Sequence, residues 1–560
     1  MKNFGLILLV FMVLISCSKD DSVEVKDLVT GNLEVTVLLG ADAAIGAKVT
    51  TVPETKIIIV PASGLVLFSN IKAGGYKVNV VINNNEDFVY YQEVVILEDL
   101  DVALLLNNSY KGLQRIFDAD SYLAYWGDTG TDILQTNQGV NYSLDELDAY
   151  FITPQSNIIN QVWTEHYQQI RQVNIGIDYL NNPNKVVANN IDRKVAEAEL
   201  RFLRGLLYFN LVKIYGNPLL SVTSEIDFNN PPNYPQNSLT TYSQIEEDLL
   251  FAIQNLPSSG SNDRANQMSA RGLLAKMYMK MAGFPFNETN NYVKALEQLN
   301  FIKGQFELEE DYKAVFNIAN ENSNSEVIFR VAFNGDENSS SAFNQYWGPL
   351  GVSDFDALVL VSGLVNSFSD SFISFESPVD FPIILNDQRF YNSIATFTVE
   401  GNVVVNSPDP DSWRPLKWYN GNHENADFNS SAFDYPVLRY ADILLMLAES
   451  ENEVNGPNSL AYDAINQVRR RAFGNTEHDV PSNLNQEQFF EKVFLERKLE
   501  LCFEGHRRDD LIRREQLQNI INEYNAANDF QKDFQSHEYV WPIPQQELDL
   551  NPNAIQNSGY

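Results

Sequence analysis

Between Gly31 and Leu106 apolar and polar residues alternate with a period of two, in "GNLEVTVLL", "TKIIIV", "GLVLFSNI", "GGYKVNVVI", "FVYYQEVVIL" and "DVALLL". Clusters of Gly, Asn, Asp and Pro separate these runs, which predicts strands of a small antiparallel β-sandwich. Its aromatics alternate with polar residues as a buried strand face does, and none is a site candidate. From Asn107 the period lengthens. In "DRKVAEAELRFLRGLLYFNLVKIYG", Ala196, Leu200, Leu203, Leu207 and Leu211 recur three or four apart. This spacing predicts a long amphipathic helix capped at Asp192 and stopped at Gly216. Similar helical runs are "SQIEEDLLFAIQNL", "MSARGLLAKMYMKMAG", "NYVKALEQLNFIKG", "RYADILLMLAESENEVNG", "AYDAINQVRRRAF" and "EQFFEKVFLERKLELCFEGHRRDDLIRREQ". Small residues at helical spacing (Ala270, Gly272, Ala275; Ala441, Ala448; Ala461, Ala464) predict close helix pairs stacked as in tetratricopeptide arrays, with no strict repeat. Long polar, aromatic-bearing segments interrupt the helices at Ala119–Ser143, Asn217–Thr240 and Glu321–Tyr435, and loops of that length are usually functional.

The N-terminus adds an address. Met1 and Lys2 precede the apolar run "FGLILLVFMVLI", Phe4 to Ile15, which fits a secretory signal and falls short of the ~20 residues a bilayer span needs. Leu14, Ile15 and Ser16 before Cys17 resemble the lipobox of bacterial lipoproteins, which implies cleavage after residue 16 and acylation of the Cys17 thiolate. Several acyl chains anchor stably where one is marginal. Lys19, Asp20 and Asp21 resemble the surface-export signal of Bacteroidetes outer-membrane lipoproteins, which implies a lipid-anchored protein facing the extracellular side. The expected divisions are a signal peptide over 1–16, a lipidated linker over 17–30, a sandwich spacer over 31–106 and a helical domain over 107–560. The stretch "SGLVLFSNIKAGGYKVNVVI" resembles the carboxypeptidase regulatory-like β-sandwich.

Charge and cysteine content narrow the chemistry. Thirty-nine basic against seventy-four acidic residues leave a net charge of −35, which disfavours nucleic acid and anionic polymers by long-range repulsion. Cys17 and Cys502 are the only cysteines, so once Cys17 carries lipid no intrachain disulfide is available. Cys502 shares an apolar helix face with Leu495 and Leu499 and is read as a buried hydrophobe. The five histidines are scattered, with no H-E-x-x-H motif, and no cysteine pair is available for zinc. A Gly-x-Ser-x-Gly elbow and a phosphate loop are also missing, so neither cofactor nor metal is predicted. "NGDENSSS" starts like a calcium loop at Asn334, Asp336 and Asn338 and lacks the later ligands.

The blocks "ELRFLRGLLYFNLVKIYGNPLL", "ARGLLAKMYMKMAG", "PVLRYADILLMLAESEN", "INQVRRRA", "LERKLELCFEGHRRDDLIRR" and "WPIPQQELDLNPNAIQNSGY" resemble, in order, the SusD/RagB family of outer-membrane nutrient-binding lipoproteins. The resemblance implies a mainly α fold with four tetratricopeptide-like helix pairs and long irregular ligand-binding loops, here preceded by the small all-β domain. It also implies a non-catalytic role, capturing oligosaccharide or, in the RagB branch, peptide for a SusC-like TonB-dependent β-barrel transporter over which the lipoprotein sits as a lid. Glu496, Arg497, Glu500, Glu504, Arg507, Arg508, Asp509 and Asp510 are read as ion pairs between packed helices. Trp163, Trp418 and Trp541 are read as core. A surface glycosidase remains open, since seventy-four acids guarantee chance carboxylate pairs.

A glycan site sets aromatic faces against sugar rings and short polar side chains against hydroxyls. Two loops carry that mixture. "YLAYWGDTGTDILQTNQ" offers Tyr125, Trp126, Asp128, Asp132 and Asn137, and "SSSAFNQYWGPLGVSDFD" offers Phe343, Asn344, Gln345, Tyr346 and Trp347. The resemblance places the pocket in these regions, with Trp126 and Trp347 foremost. Trp413 in "SWRPLKWYNG" is the next candidate.

Overall fold

The computed structural model describes residues 6–13, 30–39, 42–43, 47–52, 56–60, 65–72, 74–82, 85–96, 101–119, 121–183, 185, 187, 191–224, 234–333, 341–352, 356–368, 386–400, 403–419 and 431–560. Cys17, Lys19, Asp20 and Asp21 lie outside them. The chain divides into two compact units, Met1–Leu105 with Tyr179–Ile191, and Leu106–Asp178 with Asp192–Tyr560.

The first unit is built on antiparallel sheets. Thr30–Leu39 pairs with both Leu6–Val13 and Leu65–Lys72. Lys48–Val52 lies between Ile58–Ile59 and Gly74–Ile82, and the latter pairs onward with Asn85–Ile96. The period-two pattern shows directly in burial, since Val66 and Phe68 are both buried and Val49 faces Val80 across its ladder with both closed to solvent. The run "DVALLL" departs from the strand expectation. The Asp101 carboxylate accepts from the backbone N–H groups of Ala103 and Leu104 at 2.9 and 3.1 Å and starts the helix Val102–Phe117 there. A cap of this kind satisfies N–H groups that have no partner within the helix.

The second unit is mainly helical. Arg193–Tyr215 packs on Ser238–Asn255, Gln267–Ala282 on Asn291–Ile302, and Tyr440–Asn455 on Ser459–Phe473. Further contacts join Ser238–Asn255 to Gln267–Ala282, and join Tyr440–Asn455 to both Asn291–Ile302 and Gln486–Glu500. Asp192 caps the first of these helices through Lys194 N and Val195 N, and Gly216 ends it at φ 71°. The small residues named above are all buried, and they allow close approach. A Cβ on Gly272 would lie 2.2 Å from Leu438 Cδ2.

Ion pairs tie the C-terminal helices to the irregular segment before them. Arg389, Lys417, Arg439, Arg469 and Arg471 meet Glu326, Asp387, Glu496, Glu500 and Glu504, a balance of five and five. Glu500 accepts from Arg439 Nη1 and Arg471 Nη2 at 2.6 Å each and from Arg389 Nη1 at 3.3 Å. A second set joins Arg497 to Asp442 and Asp510, and Arg513 to Asp510 and Glu449. Charges this deep persist only when paired and hydrogen-bonded.

Trp163, Trp418, Cys502 and Trp541 are buried as expected. Trp418 Nε1 donates to Phe503 O at 2.7 Å. The C-terminal segment lies along the end of the helix Arg193–Tyr215, where Trp541 N donates to Ile214 O at 2.7 Å and Asn557 Nδ2 to Tyr215 O at 2.9 Å. Among the described residues no helix is long and apolar enough to cross a membrane.

Candidate functional site

Two short ladders organise the irregular segments. Leu134–Thr136 runs antiparallel to Leu358–Leu360, and Ile394–Ala395 to Arg414–Pro415, with the strands at Leu358 and Arg414 in contact. At one end of the first ladder Asn137 N donates to Ala357 O at 2.9 Å, so the Asn137 side chain reaches Asp356. Its Nδ2 donates to the Asp356 backbone oxygen at 3.0 Å and to Oδ2 at 3.2 Å. Arg414 Nε donates to the other carboxylate oxygen, Oδ1, at 2.6 Å, while its Nη1 is held by Asp411 O and Trp413 O. The Asp356 side chain is 32% exposed and that of Arg414 only 8%. An ionised carboxylate offers about four lone-pair sites, so Asp356 is fixed by a charge-assisted bond and can still accept from a ligand hydroxyl.

An aromatic face follows in the chain. Gly139, at φ 85°, donates its N–H to Asp145 Oδ2 at 2.8 Å, and Asn141 caps the helix Tyr142–Ala149. Leu144 and Leu147 turn that helix's apolar side inward and leave Tyr142 at its head, 79% exposed. Phe151, just past the left-handed Tyr150, is 54% exposed. Tyr142, Asp356 and Arg414 were not among the residues singled out from the sequence. A capped helix opening on an aromatic beside "TNQ" was the available signal for Tyr142, and Arg414 was overshadowed by the tryptophans flanking it.

The candidates from sequence fall into separate places. Asn137 reaches the open cluster, and Trp413 adjoins it in the chain but is buried, its ring edge-on to Phe390 at 5.8 Å and its Nε1 donating to Ser407 O. Tyr125 and Trp347 stack on one another at 5.5 Å with 15° between planes, 2% and 1% exposed, while Tyr346 is half-buried. Trp126 is buried and helps line a cavity of about 110 Å³ with Phe209, Lys213, Lys276, Lys280 and His506. Burial lowers the Lys213 ammonium there to about 8. Asp128 accepts from Gly505 N at 2.8 Å and Arg507 N at 3.2 Å, and burial pushes its carboxyl up to about 7. The expectation of open ring faces at Trp126, Trp347 and Trp413 is therefore corrected. Each ring gains more from packing on neighbouring apolar groups than from standing in water, since a Trp side chain buries 150–250 Å².

A family model described as starch-binding and associating with the outer membrane matches residues 86–279, and the model of the SusD family matches residues 325–560. SusD-like protein P25 of Formosa agariphila is 28% identical over 504 residues, spanning 82% of this chain and 90% of its own. A SusD homologue from Bacteroides thetaiotaomicron is 25% identical with a TM-score of 0.69, over 82% of this chain and 96% of the homologue. Surface glycan-binding protein A from the same organism, solved with laminarihexaose, shares the fold at a TM-score of 0.65 and 18% identity, over 81% of this chain and 98% of its own.

Proposed function

We infer, for a chain whose membership of the SusD/RagB family is strongly supported by two family models, by its relatives and by solved structures, a cell-surface lipoprotein that captures oligosaccharide without chemistry. The observation that carries this reading is the Asp356 carboxylate, held by Asn137 and Arg414 and still open to solvent, with the exposed ring of Tyr142 close by in sequence to Asn137. A carboxylate, an amide and a guanidinium together match the donors and acceptors of sugar hydroxyls, and the ring supplies an apolar face. The laminarihexaose complex of a protein with this fold supports a glycan as ligand. Tyr125, Trp126, Asp128, Tyr346, Trp347 and Trp413 then act mainly from behind, fixing the loops that present the open cluster. Binding without turnover is supported by the buried acids of Gln486–Glu500, which are engaged in ion pairs.

Within this reading Cys17 carries the lipid, Lys19, Asp20 and Asp21 direct export, and a SusC-like TonB-dependent barrel receives the ligand. Residues 31–106 set the height of the helical body above the anchor. Peptide capture is the alternative within the family, and a surface glycosidase the alternative outside it. The test is binding of the purified protein to arrays of oligosaccharides and peptides, beside Asn137→Ala and the double variant Trp126→Ala, Trp347→Ala. A glycan hit lost in Asn137→Ala supports the site. Peptide binding alone overturns the glycan reading, and release of shorter sugars overturns the non-catalytic one.

A further inference from the structure

The other end of the Leu134–Thr136 strand leads to a second feature. Ser362–Ser367, Gln486–Glu500 and Arg507–Arg513 border a groove of about 330 Å³, lined by Ser367, Lys492, Phe494, Leu495, Lys498 and Arg507. That volume lies at the lower end of the range of small-ligand sites. Arg507 is only 5% exposed. Its Nε and Nη2 grip the Asp132 carboxylate at 2.8 and 2.9 Å, and its guanidinium carbon lies 4.4 Å from the Phe494 ring centroid. With one edge on Asp132 and one face against Phe494, the remaining nitrogen, Nη1, has no partner among the described residues. A buried donor on a charged group is costly to leave unmade, so Arg507, a lining residue whose Nη1 is closed to solvent and unpaired, gains if a side-chain shift lets an acceptor in the groove reach that nitrogen.

The surrounding charge favours an anion. Lys498 Nζ lies 2.8 Å from Asp132 Oδ2 and donates to Gly363 O at 3.2 Å, and Lys492 stands half-exposed at the rim. Three cations thus meet two acids, Asp132 and the rim residue Glu491, leaving one positive charge in a chain whose net charge is −35. Planar guanidinium donors match oxyanions, and a lysine beside them adds charge without demanding one geometry.

We propose that this groove binds an oxyanion, the carboxylate of a uronic-acid residue or a sulfate ester, carried by the captured glycan. The proposal rests on the glycan reading above. The geometry of the strand supports it, because Asp132 and Asn137 flank the same short ladder and five residues of extended chain span at most about 17 Å. One oligosaccharide can therefore reach both places, its hydroxyls at Asp356 and its acid at Arg507.

The experiment is titration calorimetry of the full chain against four probes: a neutral laminari-oligosaccharide, an oligogalacturonate, a sulfated oligosaccharide and inorganic sulfate. Lys492→Glu and Lys492→Gln are measured alongside. The expected result is acidic oligosaccharide bound about tenfold more tightly than neutral at low salt, weakening as salt rises. Lys492→Glu removes that preference, Lys492→Gln removes part of it, and neutral binding holds in both. Whichever acidic probe carries the preference identifies the anion. Neutral binding with no acidic preference, or a preference that Lys492→Glu leaves intact, overturns the groove and spares the glycan reading. Binding of sulfate sensitive to Lys492→Glu, without binding of any oligosaccharide, overturns the glycan reading and with it the proposed occupant.

Discussion

Glu500→Gln is the most direct perturbation of the ionic interior. The Glu500 carboxylate is closed to solvent and receives three guanidinium nitrogens, at 2.6, 2.6 and 3.3 Å. Glutamine fits the same volume but sheds the charge and turns an amide donor towards guanidinium donors. The set falls from five against five to five cations against four anions, and the surplus charge has no water to face. Removing one partner of a buried pair costs about 3–5 kcal/mol, because the other partner stays buried and unpaired. The electrostatics of the same group point the same way. Burial pushes the Glu500 carboxyl up, but Arg471, Arg439 and Arg389 outweigh it and hold it down at about 2 against an ordinary 4.5. Urea unfolding of wild type and Glu500→Gln at pH 7, followed by far-ultraviolet circular dichroism, reads the loss directly. A loss below about 1 kcal/mol refutes the reasoning, for it means that water or side-chain rearrangement neutralises the surplus. Pairing the change with Arg471→Met distinguishes charge from packing, since restored balance should recover part of the loss in a double-mutant cycle.

Acid provides a second test of the same group. A carboxylate whose folded value is depressed contributes its full stability above its unfolded value and loses it as pH falls towards the folded one. Wild-type urea midpoints should therefore fall between pH 4.5 and about 2, and Glu500→Gln should show the smaller dependence over that window. Gly272→Ala should cost about 1–3 kcal/mol, because its Cβ would lie 2.2 Å from Cδ2 of Leu438, on the strand Tyr435–Arg439 packed against that helix; an unchanged thermal midpoint would mean that the Leu438 side chain can turn aside there.

The helices and their ionic cement were legible because their signals are local and periodic. Asp192 and Gly216 bracket one helix in sequence as in space, and the acids and bases from Glu496 to Asp510 recur at helical intervals. The open polar cluster was only partly legible. Asn137 and Asp356 are 219 positions apart, Asp356 and Arg414 are 58 apart, and they meet through ladders of two or three residues that leave no periodic trace. Tryptophans mislead for a related reason, because composition cannot tell whether a ring in a loop faces water or its own chain. Trp347 folds onto Tyr125, while the exposed ring, Tyr142, stands on a helix rather than in a loop.

The placement of Lys417 has a consequence for how such a protein diversifies. Lys417 belongs to the buried charge set through Glu504, whereas Arg414, three positions earlier, belongs to the open cluster through Asp356. Substitutions at Asn137 and Tyr142 can change what is held at the surface without disturbing a single interior charge, whereas Asp356 is the carboxylate that pairs the buried Arg414. Those at 414–417 face two demands at once. Selection for a new nutrient is therefore free to explore positions 137 and 142, while Asp356 and the stretch 414–417 form a hinge of inheritance between a rigid body and a changeable face.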